Sequence, residues 1–230
     1  MKKSIKRVSQ LLLVGLMVLS MSLASFAADG ELGSEGVLGP TELFINTYTD
    51  LFEQRKPCHV IDNAGNDITA SFVSTYESAY NSGDFESIWR YVRDNVDVIM
   101  WSNPVQTKQT RADISSTASQ TYYKLGTTQS RPQTTFEMRY TVSGNYKYHD
   151  SNGEISYYSD ANVNIDAFTL GAAYAYKQVN TSTSARLANN KKSVTFSAQF
   201  SVEVSYTPYG FYLWTETFGP YSGSATGTSY

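Results

Sequence analysis

The chain has 230 residues, a formal net charge of −3 and a single cysteine, Cys58. One cysteine excludes an internal disulfide, and an acidic balance without a basic run argues against binding to nucleic acid or anionic lipid. The 18 tyrosines, together with many Ser, Thr and Asn residues, favour β structure with hydrogen-bonding surfaces.

The N-terminus has the three zones of a cleavable signal peptide, which predicts that residues 1–27 are removed on export. A basic start precedes an apolar stretch of about 13 residues, shorter than the roughly 20 that span a bilayer. Ser25 and Ala27 then stand where a signal peptidase reads small residues. We therefore expect a secreted or cell-surface-associated bacterial protein with no stable membrane span. Cleavage leaves 14 Lys and Arg against 21 Asp and Glu, a net charge of about −7.

Residues 28–40 contain four glycines and a proline, which predicts a flexible leader. Apolar residues then recur at helical spacing over residues 41–56, which predicts a first helix, and Pro57 ends that segment. Thr69 is predicted to cap a second helix that ends at Gly83, and Asp84 to cap a third.

The segment from Phe72 to Trp101 contains these last two helices, divided at Gly83 to Phe85, and then a strand. This order resembles the opening of cone-shaped α+β folds of the nuclear-transport-factor-2 type. The resemblance covers about 30 residues and implies helices packed on a curved sheet, and we assign no family from it.

The rest of the chain is predicted to form antiparallel strands. Residues 102–132 lack apolar periodicity and are interpreted as a long connection with at most one strand. Period-2 alternation then predicts a strand over residues 136–148, a turn at Asp150 to Gly153, and a return strand. The expected inward residues of that return strand are Ile155, Tyr157, Ala161, Val163 and Ile165. The remaining predictions are strands over 171–179, 194–206 and 211–218, a polar loop over 180–192, and a Gly/Ser/Thr tail.

These elements predict a mainly β fold, an antiparallel sheet or sandwich of long hairpin strands with a short N-terminal helical element. We place the helical segment in residues 41–101 and the antiparallel β region in residues 102–230, within one globular domain over 41–230. The alternative is an α+β cradle, in which the helices cover a curved sheet.

Cys58 and His59 are the nearest approach to a catalytic pair, since a thiol beside an imidazole is a nucleophile beside a base. Adjacent side chains rarely meet, so we interpret both residues as structural. Two histidines and one cysteine match no zinc motif, and the acidic turns at 62–67 and 150–154 match no complete calcium loop. We therefore predict no catalytic residues, no metal and no organic cofactor.

Aromatic residues near strand ends are the best candidates for binding, because exposed rings stack on sugars or anchor protein partners. We expect a non-catalytic binding or structural domain whose partner is a carbohydrate, a cell-wall polymer or a protein. A secreted hydrolase of carbohydrate or peptide and a β-pore-forming protein stay open as alternatives. The predicted ligand-binding residues are Tyr157, Tyr174, Tyr176, Tyr212 and Trp214.

Overall fold

The computed structural model describes residues 39–102, 106–109, 113–129, 135–170, 174–207 and 211–229. The segment from Gly36 to Tyr230 forms one compact unit. The predicted signal peptide and residues 28–38 of the predicted leader lie outside the described residues, as do 171–173 and 208–210. Among the helices that are described, none is long and apolar enough to cross a membrane.

The fold is mainly β, as predicted, with short helices near its N-terminus. The helices are α1 (Glu42–Phe52), α2 (Thr69–Ser82) and α3 (Phe85–Asn95). The strands are β1 (Cys58–Asp62), β2 (Val96–Ser102), β3 (Gln106–Gln109), β4 (Asp113–Thr127), β5 (Thr135–His149), β6 (Ile155–Tyr158), β7 (Asn162–Thr169), β8 (Tyr174–Leu187), β9 (Ser193–Tyr206) and β10 (Trp214–Thr228).

The strands form two antiparallel sheets. The first sheet has the order β1-β2-β4-β5, with β3 also paired to β4 and with β6 and β7 both paired to β5. The second sheet has the order β10-β9-β8. The first sheet thus has its longest strands, β4 and β5, at its centre, and β9 is the central strand of the second sheet.

The two sheets pack face to face as a sandwich. Tyr122 and Tyr140 of the first sheet share a buried cluster with Phe200 and Val202 of the second, while Tyr146 meets Phe196 in a neighbouring cluster. These residues occupy even positions of β4, β5 and β9. The apolar positions that alternate in the sequences of β5 and β9 therefore form the inner surface of the sandwich.

The helices cover the opposite face of the first sheet. Phe44, Tyr48 and Trp89 pack there against Ile99 and Tyr123, which are odd positions of β2 and β4. Both predicted ways of covering the sheet, a second sheet and a layer of helices, thus occur on its two faces.

A buried carboxylate joins α1 to the first sheet. Glu137 on β5 is 2% exposed and accepts a hydrogen bond of 2.6 Å from the hydroxyl of Thr41, the residue that caps α1. Burial raises the pKa of Glu137, and hydrogen bonds from Thr41 and the Phe44 backbone oppose that rise. The native state therefore disfavours the ionised carboxylate relative to the unfolded chain.

Glu137→Gln should change how stability depends on pH. A carboxyl whose pKa is raised by folding binds its proton more tightly in the native state, so its contribution to stability is lost as the pH rises above the ordinary value of 4.5. We expect urea unfolding to show wild-type stability falling relative to the variant as the pH rises through this window. A difference between the two proteins that stays constant or moves the other way would contradict the role assigned to Glu137.

Tyrosines of the first sheet bind the backbone of β10. The Tyr140 hydroxyl donates to the carbonyl of Ser222 at 2.7 Å, and the Tyr146 hydroxyl donates to that of Thr228 at 3.0 Å. Tyr122 exchanges two hydrogen bonds of 2.7 Å with the backbone of Ser224. β10 pairs with β9 on its other side, so these hydroxyls bind the backbone at an edge with which no strand in the described ranges pairs.

The other edge of the second sheet, β8, is irregular. Its register with β9 shifts between Val179 and Ser182, and Asn180 in this bulge has a φ of 52°. Exposed Lys177 and Arg186 lie on either side of the bulge.

Five local predictions are wrong. Residues 102–132 contain β3 and the 15-residue β4, the predicted loop from 180 is strand as far as Leu187, and the predicted tail is strand as far as Thr228. Thr69 is the first residue of α2, whose N-cap Ile68 makes no side-chain capping bond. Tyr157, expected to point inward, is 54% exposed because the register between β5 and β6 shifts between Lys147 and Tyr148, which places Tyr157 opposite the exposed Lys147.

Candidate functional site

One end of the second sheet carries a row of aromatic residues, one on each strand. Tyr174 on β8 and Trp214 on β10 both pair in register with Tyr206 on β9. The ring centroids of Tyr174 and Tyr206 lie 4.7 Å apart, and each lies 5.9 Å from the Trp214 ring. We call this row, with Tyr176 and residues 211–213, the aromatic end.

The segment Phe211 to Leu213 is the most exposed apolar part of the described chain. Phe211 is 73% exposed, Tyr212 64% and Leu213 60%. It leads directly into β10, and the Leu213 N–H donates to the carbonyl of Tyr206 at 3.0 Å. Adjacent large apolar side chains in solvent are typical of an interaction site, whereas isolated ones are not.

Stacked rings connect the aromatic end to the sandwich core. Tyr176 stacks on Phe168 with centroids 4.3 Å apart, and Phe168 stacks on buried Phe136 at 5.5 Å. Phe136 in turn contacts Phe218 of β10 at 4.9 Å. The neighbouring rings therefore fix the orientation of the exposed Tyr176 ring. Because the ring is already ordered, a ligand that binds it loses little binding free energy to side-chain ordering.

Polar groups lie on the outer face of the second sheet, which is the opposite face to that of Tyr174, Tyr206 and Trp214. The hydroxyls of Ser205 and Thr215 lie 2.9 Å apart one residue along the strands from the aromatic row, and Lys177 pairs with Glu203 at 2.6 Å two residues farther on. Farther along the strands, a shallow groove of about 500 Å³ is lined by Ser182, Ser184, Ser197, Gln199, Ser222 and Ser224, together with Tyr122, Ala198 and Gly223. The outer face thus offers hydroxyl and amide groups over much of its length.

The structure brings four of the five predicted ligand-binding residues together. Tyr174, Tyr176, Tyr212 and Trp214 all belong to the aromatic end, although Tyr174 and Trp214 are only partly exposed. Tyr157 lies apart on β6, opposite Lys147 of β5, whose ammonium is 5.8 Å from its ring centroid. Along β5, Lys147 is 11 residues, or about 36 Å, from Phe136, the ring on which Phe168 stacks. Ligand binding by any of the five remains a prediction.

A second concave site lies where α1, β1 and α2 meet. This β1 cleft has a volume of about 830 Å³, within the range of small-molecule sites. Its lining combines apolar and charged side chains: Leu51, Gln54, Lys56, Pro57, Cys58, His59, Asp67, Thr69, Ala70, Val73, Ser74 and Glu77.

His59 and Asp67 form a hydrogen-bonded pair in the β1 cleft. Their Nδ1 and Oδ2 atoms lie 2.7 Å apart. Hydrogen bonds from the hydroxyl and N–H of Thr69, and then from His59, lower the pKa of Asp67 to about 2. An ionised carboxylate only accepts hydrogen bonds, so Nδ1 of His59 carries a proton. In the neutral ring, Nε2 is left as an acceptor.

Cys58 shares the cleft without the environment of a nucleophile. Burial raises the pKa of its thiol, and the negative charge of Asp50 adds to the effect. A thiol is reactive as the thiolate, which the raised pKa disfavours. The β1 cleft therefore suits binding better than nucleophilic catalysis.

The sequence does not predict this cleft, because Cys58 and His59 are interpreted from it as structural and the acidic turn at 62–67 as a separate feature. The partner of His59 lies eight residues on, where the turn after β1 returns the chain to α2. The spacing of Asp67 and Thr69 is a usable signal, since an Asp commonly accepts a hydrogen bond from the backbone two residues later.

Comparisons with protein-family models, with curated proteins and with solved structures found no match for this chain.

Proposed function

We propose that this chain is an exported bacterial protein that works without catalysis, by binding a carbohydrate polymer of the cell surface through its aromatic end. The observation that carries the proposal is the exposed segment Phe211 to Leu213, continuous with a row of aromatic rings in contact with one another. Aromatic faces stack on the C–H surfaces of sugar rings, and they exclude water from that contact.

Two further features support a sugar polymer as the partner. The outer face of the second sheet, on the other side of the strands from the aromatic row, carries hydroxyl and amide groups, which can hydrogen-bond the hydroxyls of a glycan. The predicted signal peptide would deliver the protein to the compartment that contains such polymers.

Replacing Tyr212 or Tyr176 by alanine should weaken binding to purified cell-wall polysaccharide by roughly tenfold for each ring, or about 1.4 kcal/mol. Tyr157→Ala is the matched control, because it removes an equally exposed tyrosine from another part of the molecule. Binding is measured by sedimentation of the protein with the insoluble polymer and by calorimetry with soluble fragments.

Equal loss of binding in Tyr157→Ala, or no loss in Tyr212→Ala and Tyr176→Ala, would overturn the proposal. Binding to wall material that disappears when the material is first treated with protease would assign the aromatic end to a protein partner instead.

A further inference from the structure

The β1 cleft has the shape of a trough that runs beside α2. Ala70, Val73, Ser74 and Glu77 line it at the spacing of one helical face, so this wall is about 10 Å long. Asp67 and His59 lie toward one end of the wall and Glu77 at the other. A small linear molecule fits this dimension.

The middle of the trough is apolar. Leu51 is buried, and Cys58 and Val73 are partly buried against the same helical core. These three side chains can contact the hydrocarbon part of a ligand. The contact would stabilise the complex by roughly 25 cal/mol for each Å² of apolar surface removed from water.

The charges that line the trough do not balance. Lys56 is 3.0 Å from Asp50, a residue outside the lining, so its charge is already compensated. Asp67 is bound to His59 and Thr69. Glu77 forms no ion pair with any residue in the described ranges, which leaves its carboxylate available to a cation.

We propose that the β1 cleft binds a small amphipathic primary amine, with its ammonium group at Glu77 and its hydrocarbon part against Val73, Leu51 and Cys58. This site lies on residues distinct from those of the aromatic end, so either proposal stands or fails alone. A carboxylate ligand with the same hydrocarbon part would meet the charge of Glu77 and be repelled.

The test compares two probes that differ in charge but share a ring and a short chain, 2-phenylethylamine and phenylacetate. Each is titrated into the ¹⁵N-labelled exported chain, residues 28–230, and amide shifts are followed by NMR. We expect saturable shifts at Val73, Ser74 and Glu77 with the amine, and at least tenfold weaker binding of the carboxylate.

Glu77→Gln should weaken binding of the amine severalfold and remove most of the preference over phenylacetate. Glu86→Gln is the matched control, because Glu86 is a partly exposed glutamate on α3 that pairs with Arg90 at 3.1 Å and lies outside the lining. Ala70→Trp should block both probes, and unchanged amide shifts elsewhere would show that it folds.

Three outcomes would overturn the proposal. They are equal binding of the two probes, shifts that saturate elsewhere than at the cleft, and no saturable shift with the amine at millimolar concentration. Loss of amine binding in Glu86→Gln to the same extent as in Glu77→Gln would do so as well.

Discussion

A chain that ends after Phe218 should lose the cooperative unfolding of the sandwich. The deletion removes most of β10 and leaves the hydroxyls of Tyr122, Tyr140 and Tyr146 without their acceptors. A buried polar group that loses its partner costs about 1–3 kcal/mol. Three such losses, with the exposure of β9, rival the roughly 5–15 kcal/mol that stabilises a typical domain. Near-UV circular dichroism and urea unfolding measure the effect.

Milder variants separate the hydrogen bonds from the strand itself. Tyr140→Phe should cost about 1 kcal/mol, because it removes one buried hydrogen bond and keeps the ring. Tyr157→Phe is the control, since that ring is exposed, and should leave stability unchanged. If the truncated chain unfolds at the same urea concentration as the intact one, residues 219–230 are the unstructured tail that composition predicts.

Gly144→Val should destabilise the protein by about 3 kcal/mol or more. Gly144 on β5 faces Phe196 of β9 across the sandwich, and a Cβ atom at this position would lie 2.1 Å from the Phe196 ring. Phe196 is fully buried among other core residues, so its ring has no space to retreat. Overpacking of this kind forces shifted side chains and backbone. Thermal and urea unfolding measure the loss.

Two comparisons identify the cause of that loss. Ser143→Val adds a similar side chain on the neighbouring position, which faces the other side of the sheet, and should change stability by about 0.5 kcal/mol at most. Phe196→Leu should partly relieve Gly144→Val, so the double variant is expected to be more stable than the sum of the single effects. Strict additivity would contradict contact between these two positions.

The sequence predicts those strands whose inner positions are large and apolar. β5 and β9 follow the alternation closely because Tyr140, Val142, Phe200 and Val202 all face the sandwich. The C-terminus of α2 and the N-terminus of α3 are also predicted correctly, since Gly83 adopts a left-handed conformation and Asp84 caps α3 through Ser87. These signals are local, so they can be recognised in the sequence without knowledge of the tertiary structure.

The part of β10 after Phe218 escapes prediction because most of its inner residues are small. Gly223, Ala225 and Gly227 face the core, where the large rings of Tyr122 and Tyr146 fill the space above them. The sequence of such a strand shows no hydrophobic alternation, because the large apolar side chains that fill the core beside it belong to other strands. β4 and the second half of β8 are missed for a related reason, because Ser and Thr occupy many positions on both of their faces.

The sequence predicts the aromatic residues of the aromatic end, but it does not predict that they lie together. Tyr174, Tyr206 and Trp214 become neighbours only through the registers of β8, β9 and β10. The sequence shows that tyrosines are abundant near strand ends, and it therefore includes Tyr157 with the others. Only strand pairing separates that residue from the rest.

The two edges of the second sheet bear on how the protein behaves when concentrated. Flat, unpaired edges invite strands of other molecules and lead to aggregation. Here tyrosine hydroxyls from the first sheet bind carbonyls along one edge, while a bulge and exposed Lys177 and Arg186 interrupt the other. A sheet protected in this way can expose long Ser- and Thr-rich strands in a crowded environment and stay free of fibrils, without a disulfide to hold it.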